Sequence, residues 1–223
     1  MDVDELYEEF NLVYNNLGSN KAPGLDKYEI SVYMTKSQDI IEDGLYREFE
    51  HSEEARKKLS NMLHTEILYP VQNVDNYKLF SDDTMFELPE DLKYIVNEKI
   101  KMSYTADYCV KNKFISVQPC LHDEVDRIKK NPYRFNAGRA LRLDTSVNGV
   151  KYSEIVSMLS GIEYYQVRYI KKCKPIILVD LRTIGDDLSI DDKKGVSQAS
   201  LDESLHRQIV ETAARMAYAD YKS

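Results

Sequence analysis

Residues 19–49 read SNKAPGLDKYEISVYMTKSQDIIEDGLYREF, and the rest of the chain is organised around this stretch. Asn20-Lys21-Ala22-Pro23-Gly24 has turn composition, because Pro fixes φ and Gly opens conformations closed to other residues. Asp26 can accept from the first free amides of a helix, and Glu29 stands where a capping box needs its reciprocal acceptor. Ile30, Met34, Ser37, Ile41, Leu45 and Phe49 follow at 4-3-4-4-4 spacing, which lines one helical face. Ser37 and Gly44 are small and lie on or beside that face, leaving room for a second helix. On spacing alone this is a core helix of an ordinary domain.

Working outward, Leu6, Phe10, Val13 and Leu17 are spaced 4-3-4 and predict an amphipathic helix over residues 2–17. Gly18 follows, where helices often end on a left-handed residue. The short connection to Gly24 predicts an antiparallel helical hairpin. Ser52 caps a short third helix reaching residue 63, whose outer face carries Arg56, Lys57 and Lys58; His51 and His64 flank it as surface residues. At the far end Leu205, Ile209, Ala213 and Met216 predict a closing helix from Asp202 or Ser204. Ala213, Ala214 and Ala217 permit it to pack closely, and His206 on it reads as structural.

The period changes in between. Ile67-Leu68-Tyr69-Pro70-Val71, Tyr77-Lys78-Leu79-Phe80 and Thr84-Met85-Phe86-Glu87-Leu88 are short apolar runs broken by Asn, Asp, Ser and Pro, a strand-and-turn texture. Residues 92–102 fit a helix through Leu92, Ile95, Val96 and Ile100, or a strand by alternation. Pairing with residues 114–119 as a long hairpin favours the strand. Asn148-Gly149 marks a two-residue hairpin turn between residues 140–147 and 150–158. Ser160-Gly161 marks a second turn. Residues 163–171 then alternate, with Tyr165, Val167 and Tyr169 on one side and Gln166, Arg168 and Ile170 on the other. Ile176-Ile177-Leu178-Val179-Asp180-Leu181 reads as a buried strand. Residues 182–200 read as a long polar loop with few apolar anchors, unusual in a compact domain without a reason.

With 43% hydrophobic and 30% charged residues, the 223-residue chain has the composition of a soluble globular protein. A formal charge of −8 argues against a dedicated duplex-DNA binder, which needs clustered cations to displace counterions. Seventeen Tyr and no Trp suit either protein interfaces or strand filling. Cys109, Cys120 and Cys173 lack paired spacing and read as reduced thiols, not a disulfide framework or zinc site. The acidic N-terminus and the lack of a long apolar run give no expectation of a signal peptide, lipid anchor or membrane span.

His122-Asp123-Glu124 suggests chemistry at first sight. Adjacent residues cannot share a helix face, however, and no second His lies at i+4. The better reading is that Asp123 or His122 caps a one- to two-turn helix ending near Lys130, stopped by Asn131-Pro132. Lys129, Lys130, Arg134, Arg139 and Arg142 cluster just beyond. They form either a docking surface for carboxylates on a neighbouring subunit or a solvated basic edge. Asp186, Asp187, Asp191 and Asp192 in the polar loop are the expected acidic counterpart, meeting groups such as Arg139 or Arg142 of the next copy. No phosphate-binding glycine loop, nucleophile elbow, metal-ligand spacing or internal repeat occurs.

Three blocks carry a resemblance. The first is Asn20-x-Ala22-Pro23-Gly24-Leu25-x-x-Tyr28-Glu29-x-Ser31, continued by Thr35-Lys36-Ser37-Gln38 and Ile40-Ile41. The second is His122-Asp123-Glu124, Asn131-Pro132-Tyr133-Arg134 and Arg139-Ala140-Leu141-Arg142-Leu143. The third is Arg168-Tyr169-x-Lys171-x-x-Lys174-Pro175-Ile176-Ile177-Leu178. Together they resemble the head–tail connector and ring (adaptor-like) virion proteins of tailed phages, most of all those of crAss-like short-tailed phages. The resemblance implies a structural virion subunit with no catalytic site, no cofactor and no metal. It implies a ring of this chain, twelvefold, in contact with the portal protein and other connector or tail proteins. Double-stranded DNA would pass through without specific binding and no membrane would be involved. The adaptor at the portal, a ring further down and a tail hub are all compatible, and a non-virion assembly factor or an enzyme are the readings outside this class.

The expected fold is α+β. Residues 1–65 and 201–223 form a helical bundle from the N-terminal hairpin and the C-terminal helix, residues 66–181 an inserted antiparallel β-rich region, and residues 182–200 the extended polar loop.

Overall fold

The computed structural model describes residues 1–18, 23–72, 75–103, 114–185 and 187–222. Residues 20–22 of the first turn, Cys109 and Asp186 therefore lie outside the described residues. The fold is mixed α and β, with five α-helices and a seven-stranded sheet among the described residues. The chain divides into two compact units, residues 1–62 with 172–223, and residues 63–171.

The first unit holds α1 (Val3–Leu17), α2 (Lys27–Glu48), α3 (Glu53–Lys58) and α5 (His206–Lys222). Both α1 and α2 begin with a complete capping box, Asp2 with Glu5 and Asp26 with Glu29, which satisfies first-turn amides from the sequence itself. Helix α1 buries Leu6, Phe10 and Tyr14, with the two aromatic rings stacked 5.7 Å apart. Tyr14 replaces the expected Val13 and Leu17 on that face. Gly18 ends the helix at φ −83°, in the right-handed region, so no left-handed cap is used.

Helix α5 packs on both α1 and α2, while those two touch each other little. The expected hairpin is thus replaced by two helices that meet through a third. The inward face of α5 is His206, Ile209, Val210, Ala213, Ala214 and Ala217, so Ala217 takes the place expected for Met216. The small Ser37 lets α5 approach closely, and its Oγ donates to the Ile209 carbonyl at 2.8 Å. Gly44 meets no neighbour and plays no such part.

Helix α2 also buries a polar row, Ser31, Thr35 and Gln38. This row holds the segment after residue 172, which is extended and buried but is not the sheet strand its apolar run predicts. Thr35 Oγ1 accepts from Ile176 N at 3.0 Å, Ser31 Oγ accepts from Leu178 N at 3.0 Å, and Gln38 Nε2 donates to the Lys174 carbonyl at 2.8 Å. A buried extended backbone needs partners for its amides and carbonyls, and here helix side chains supply part of what a neighbouring strand would. Ile177 also pairs with Ser197 in an isolated bridge.

The region expected as a loose polar loop is tied into the same unit. Ile177, Leu181 and Ile190 form a buried cluster with Tyr28, Val32, Val179 and Leu188 packed against it. Leu181 N donates to the Lys194 carbonyl at 2.9 Å, and Ile190 and Lys193 exchange two 3.0 Å backbone bonds around a turn. Asp191 and Asp192 occupy that turn with φ of 49° and 60°.

The second unit is one sheet in the order β1-β7-β3-β4-β5-β6-β2, built from β1 (Leu63–Leu68), β2 (Thr84–Glu87), β3 (Leu92–Met102), β4 (Phe114–Pro119), β5 (Arg139–Val147), β6 (Val150–Ser157) and β7 (Ile162–Lys171). Residues 92–102 are strand and pair antiparallel with β4, as the hairpin argument requires. The expected antiparallel pairing holds for the other strand pairs described, and β4 and β5 are the exception, running parallel from Ser116↔Arg139 to Pro119↔Arg142. The β4–β5 connection passes through α4 (Val125–Lys129), and a crossover of this kind is what makes parallel pairing possible. Residues 77–80, expected as a strand, form none: Tyr77 ends a 3₁₀ turn at Asp75–Tyr77, and residues 78–80 are irregular.

The sheet curls until its edges meet. Just after β1, Pro70 bridges Phe86 of β2, and Val71 N donates to the Met85 carbonyl at 2.9 Å. Inside lie Phe86, Ile100, Met102, Ile115, Val117, Ile155, Tyr165, Val167 and Tyr169. Outside β5 and β6, Leu141, Leu143 and Val156 pack with Val125 of α4 and with Phe135. The β5–β6 turn is the predicted one, with Asn148 at φ 53° and Gly149 at φ 84°.

Candidate interface surfaces

Helix α4 starts at Glu124 with no side-chain cap, so neither His122 nor Asp123 caps it. His122 does something else: its Nε2 lies 2.9 Å from the Asp144 carbonyl and ties the connection to β5. The cations that follow separate into two groups. Lys130, Arg134 and Arg139 are exposed, and Tyr133 between them is 88% exposed. Lys129 lies with its Nζ 3.4 Å from the Phe80 ring centroid, a cation–π contact.

Arg142 points into the curled sheet. Its side chain is only 10% exposed, and Nη1 donates to Glu98 Oε1 at 2.8 Å. Its Nε lies 3.0 Å from Asp144 Oδ1 as an ion pair. Tyr165 Oη donates to the second Glu98 oxygen. Burial would lower the Arg142 pKa, yet Glu98 and Asp144 more than offset this and raise it. Burial and the Glu98 carboxylate both push the Tyr165 phenol up. Arg142 is thus committed within its own unit, because period-two alternation puts it on the face of Ala140, inside the sheet. Glu98, Arg142 and Tyr165 form an internal charge network, with the exposed Asp144 at its edge.

A buried acidic pair, Asp83 and Glu154, lies elsewhere in this unit. Asp83 is 4% and Glu154 2% exposed. Glu154 Oε1 accepts from Leu79 N at 2.6 Å. Burial first, then the hydrogen bond and charge of Glu154, push the Asp83 carboxyl up to about 7, against the opposing pull of Lys129.

In the first unit Asp187 and Asp192 are exposed. Asp191 pairs with Lys172 at 2.7 Å, inside its own chain. Among the described residues no group of three or more His, Cys, Asp or Glu is placed to hold a metal ion, and no helix is long and apolar enough to cross a membrane. Cys120 is half-buried and Cys173 buried, and neither forms a disulfide with a described residue.

Two surfaces were not singled out from the sequence. One is the side of β1, β7, β3 and β4 that faces away from the core of its own unit and on which none of that unit's described helices packs. In the antiparallel register Arg168 pairs with Asn97 and Thr65, Gln166 with Lys99, and Tyr164 with Lys101, while Lys101 also pairs with Phe114. Arg168 Nε donates to Thr65 Oγ1 at 3.2 Å. Lys99 sits 4.4 Å over the Phe114 ring, and Lys101 sits 5.3 Å over Tyr164 while pairing with Glu163 at 3.1 Å. The other surface is the outer side of α1, where Glu5, Glu8, Glu9 and Leu12 line a groove of about 660 Å³ with Met1 and Arg207. The alternation of β7 and the i, i+3, i+4, i+7 spacing of Glu5, Glu8, Glu9 and Leu12 were visible signals for both.

Over residues 1–223 the chain matches the family model described as phage tail ring protein 3/4. It is 32% identical to ring protein 3 of Bacteroides phage crAss001, over 97% of this chain and 95% of the relative. Ring protein 4/5 of the same phage is 28% identical, over 100% of this chain and 94% of the relative. The match takes in both units, and with them the buried networks and open faces described above. The resemblance carried by the three sequence blocks holds at the level of family: the chain belongs to the phage tail ring protein 3/4 family, the ring proteins of crAss-like phages, and is a virion ring-type structural subunit.

Proposed function

We propose that this subunit closes into a ring around the DNA channel at the head–tail junction, next to the portal, and there helps to join capsid to tail. The observation that carries this reading is the whole-chain match to two ring proteins of one phage. Twelve copies would form the ring, each contacting the next through a heterologous interface, since only a rotation that closes gives a ring rather than a filament. Its role is structural rather than enzymatic. The subunit assembles in the host cytoplasm and leaves in the particle, with the portal protein and other connector or tail proteins as neighbours. Lys130, Arg134 and Arg139 with the protruding Tyr133 would dock on carboxylates of an adjoining virion protein, as Arg and Tyr commonly do at interfaces. Asp187 and Asp192 would offer the opposite sign.

DNA would pass without being gripped. A net charge of −8 supports this, because a basic lumen would hold phosphates through counterion release. Cryo-EM of the neck of purified particles, with mass spectrometry of their proteins, tests the whole reading. A twelvefold ring of this chain beside the portal is expected. Density at one or two copies, a place in the tail hub, or absence from the particle would overturn it.

A further inference from the structure

We propose that the open β1–β7–β3–β4 face of one copy receives the outer face of α1 of the next copy. The inference rests on the ring reading above and names the surfaces through which the ring closes.

The sheet face is polar and cationic at its centre. Neither Lys99 nor Arg168 forms an ion pair with a described residue, so both charges are available to a partner. Phe114, 48% exposed, adds a large apolar surface among these charges. The face is not a platform for nucleic-acid bases. The Phe114 and Tyr164 rings already carry Lys99 and Lys101, and those contacts lie over ring faces on which a base would stack. A carboxylate-bearing protein surface remains as the fitting occupant.

The outer face of α1 has that chemistry. Glu5, Glu8 and Glu9 lie along one side of the helix, and Leu12, 63% exposed, stands at their end. Glu5 is engaged in its own capping box and Glu9 pairs with Arg207 at 3.1 Å, which leaves Glu8 as the carboxylate of this face without an ion pair to a described residue. Each face therefore sets a large exposed hydrophobe beside uncommitted charge, Glu8 on the helix and Lys99 and Arg168 on the sheet, and the signs are opposite. An apolar anchor ringed by polar contacts is the usual build of an interface centre. The dimensions agree. From Glu5 to Leu12 the helix rises about 10 Å. From β7 across β3 to β4 the sheet spans two strand spacings, also about 10 Å. The two faces are different patches of one chain, so the contact is head-to-tail, the kind that builds rings.

Purified particles are treated with a zero-length carbodiimide, which joins a lysine to a carboxylate in contact with it. Linked peptides are then sequenced separately from the dimer and monomer bands. Lys101–Glu163, paired within one copy, is the internal control. Lys99 linked to Glu5, Glu8 or Glu9 in the dimer band is expected. A dimer band without that link, or the link in the monomer band alone, overturns the docking and leaves the ring reading standing. No dimer of this chain in the particle overturns both. As a second arm, Lys99→Glu should cut incorporation into particles roughly tenfold, and adding Glu8→Lys should restore it. Unchanged incorporation of Lys99→Glu, or a loss that Glu8→Lys leaves unrepaired although the purified double variant melts like the natural chain, overturns the docking. A labelled DNA duplex held tightly at physiological salt and released by Arg168→Glu would give the face to nucleic acid and equally overturn it.

Discussion

Thr35 on α2 serves both backbone groups of Ile176, accepting from its amide at 3.0 Å and donating toward its carbonyl at 3.3 Å. One hydroxyl thus stands in for part of a missing strand, its single proton shared between the Ile176 carbonyl and the Ser31 carbonyl of its own helix, the latter at 2.8 Å. Ser31 and Gln38 continue the arrangement at Leu178 and Lys174. Replacing Thr35 by Val keeps the shape and removes the hydroxyl, stranding a buried amide. A loss of about 2–3 kcal/mol is expected, because an unsatisfied buried group costs its full desolvation. Thr35→Ser should keep most of the stability. Chemical denaturation of the full chain measures both, and a Val variant as stable as the natural chain would refute the role assigned to the polar row.

How much of this was legible beforehand varies with the length scale of the cause. Local causes were readable. Asp26 with Glu29 capped α2 as expected, Asn148-Gly149 turned the hairpin, and Tyr165, Val167 and Tyr169 faced inward. Causes that lie across the sequence were not. The run at residues 176–181 looked like a strand because it is apolar, yet its partners are polar side chains about 140 residues earlier, which no periodicity marks. The parallel β4–β5 pair was hidden by a connection that reads as a small helix and a turn. Arg142 sat in a basic cluster that looked like surface, and only the register of β5 shows that it is inside. The open sheet face was half visible, since Gln166 and Arg168 already alternated with the core residues. That this face is a candidate contact surface does not follow from alternation, which marks only the side turned from the core.

The Glu98–Arg142 pair predicts an asymmetry. Arg142→Leu leaves the Glu98 carboxylate buried beside Tyr165, and removal of one partner from a buried pair costs about 3–5 kcal/mol. Replacing both residues by Leu removes the orphaned charge and should recover most of that loss. A double variant no better than Arg142→Leu would show that the network contributes through something other than charge compensation.

Asp83 sets a pH dependence. Its carboxyl is pushed up to about 7 in the folded chain, above its ordinary value of 3.8, chiefly by burial. The folded state therefore holds a proton that the unfolded state releases between those two pH values. Stability from this group is fully present below the unfolded pKa and is lost as pH rises toward 7. Asp83→Asn should flatten that part of the profile and stabilise the chain at pH 8 by on the order of 1–3 kcal/mol. Thermal melts of both proteins across the range decide it. Parallel profiles would mean Asp83 stays ionised.

The polar segment around Asp191 and Asp192 yields the last prediction. Its polar composition pointed to a neighbouring subunit or partner ring as what orders it, since ordering costs about 1–2 kcal/mol per residue. The structure supplies internal anchors instead. Leu181 and Ile190 are buried with Ile177, Leu181 N reaches the Lys194 carbonyl, and Ile190 and Lys193 close the turn. Lys172 meets Asp191 at its tip. These bonds exist within one chain, so the amides of Leu181, Ile190 and Lys193 should exchange slowly in the isolated subunit and no more slowly in the assembled particle. The two Asp residues hold positive φ, which Gly adopts freely, so Asp192→Gly should keep or raise the melting temperature. Fast exchange in the isolated chain with protection only in the particle would return the segment to an interface. It would also show that the Ile177–Leu181–Ile190 cluster is too small to order it alone.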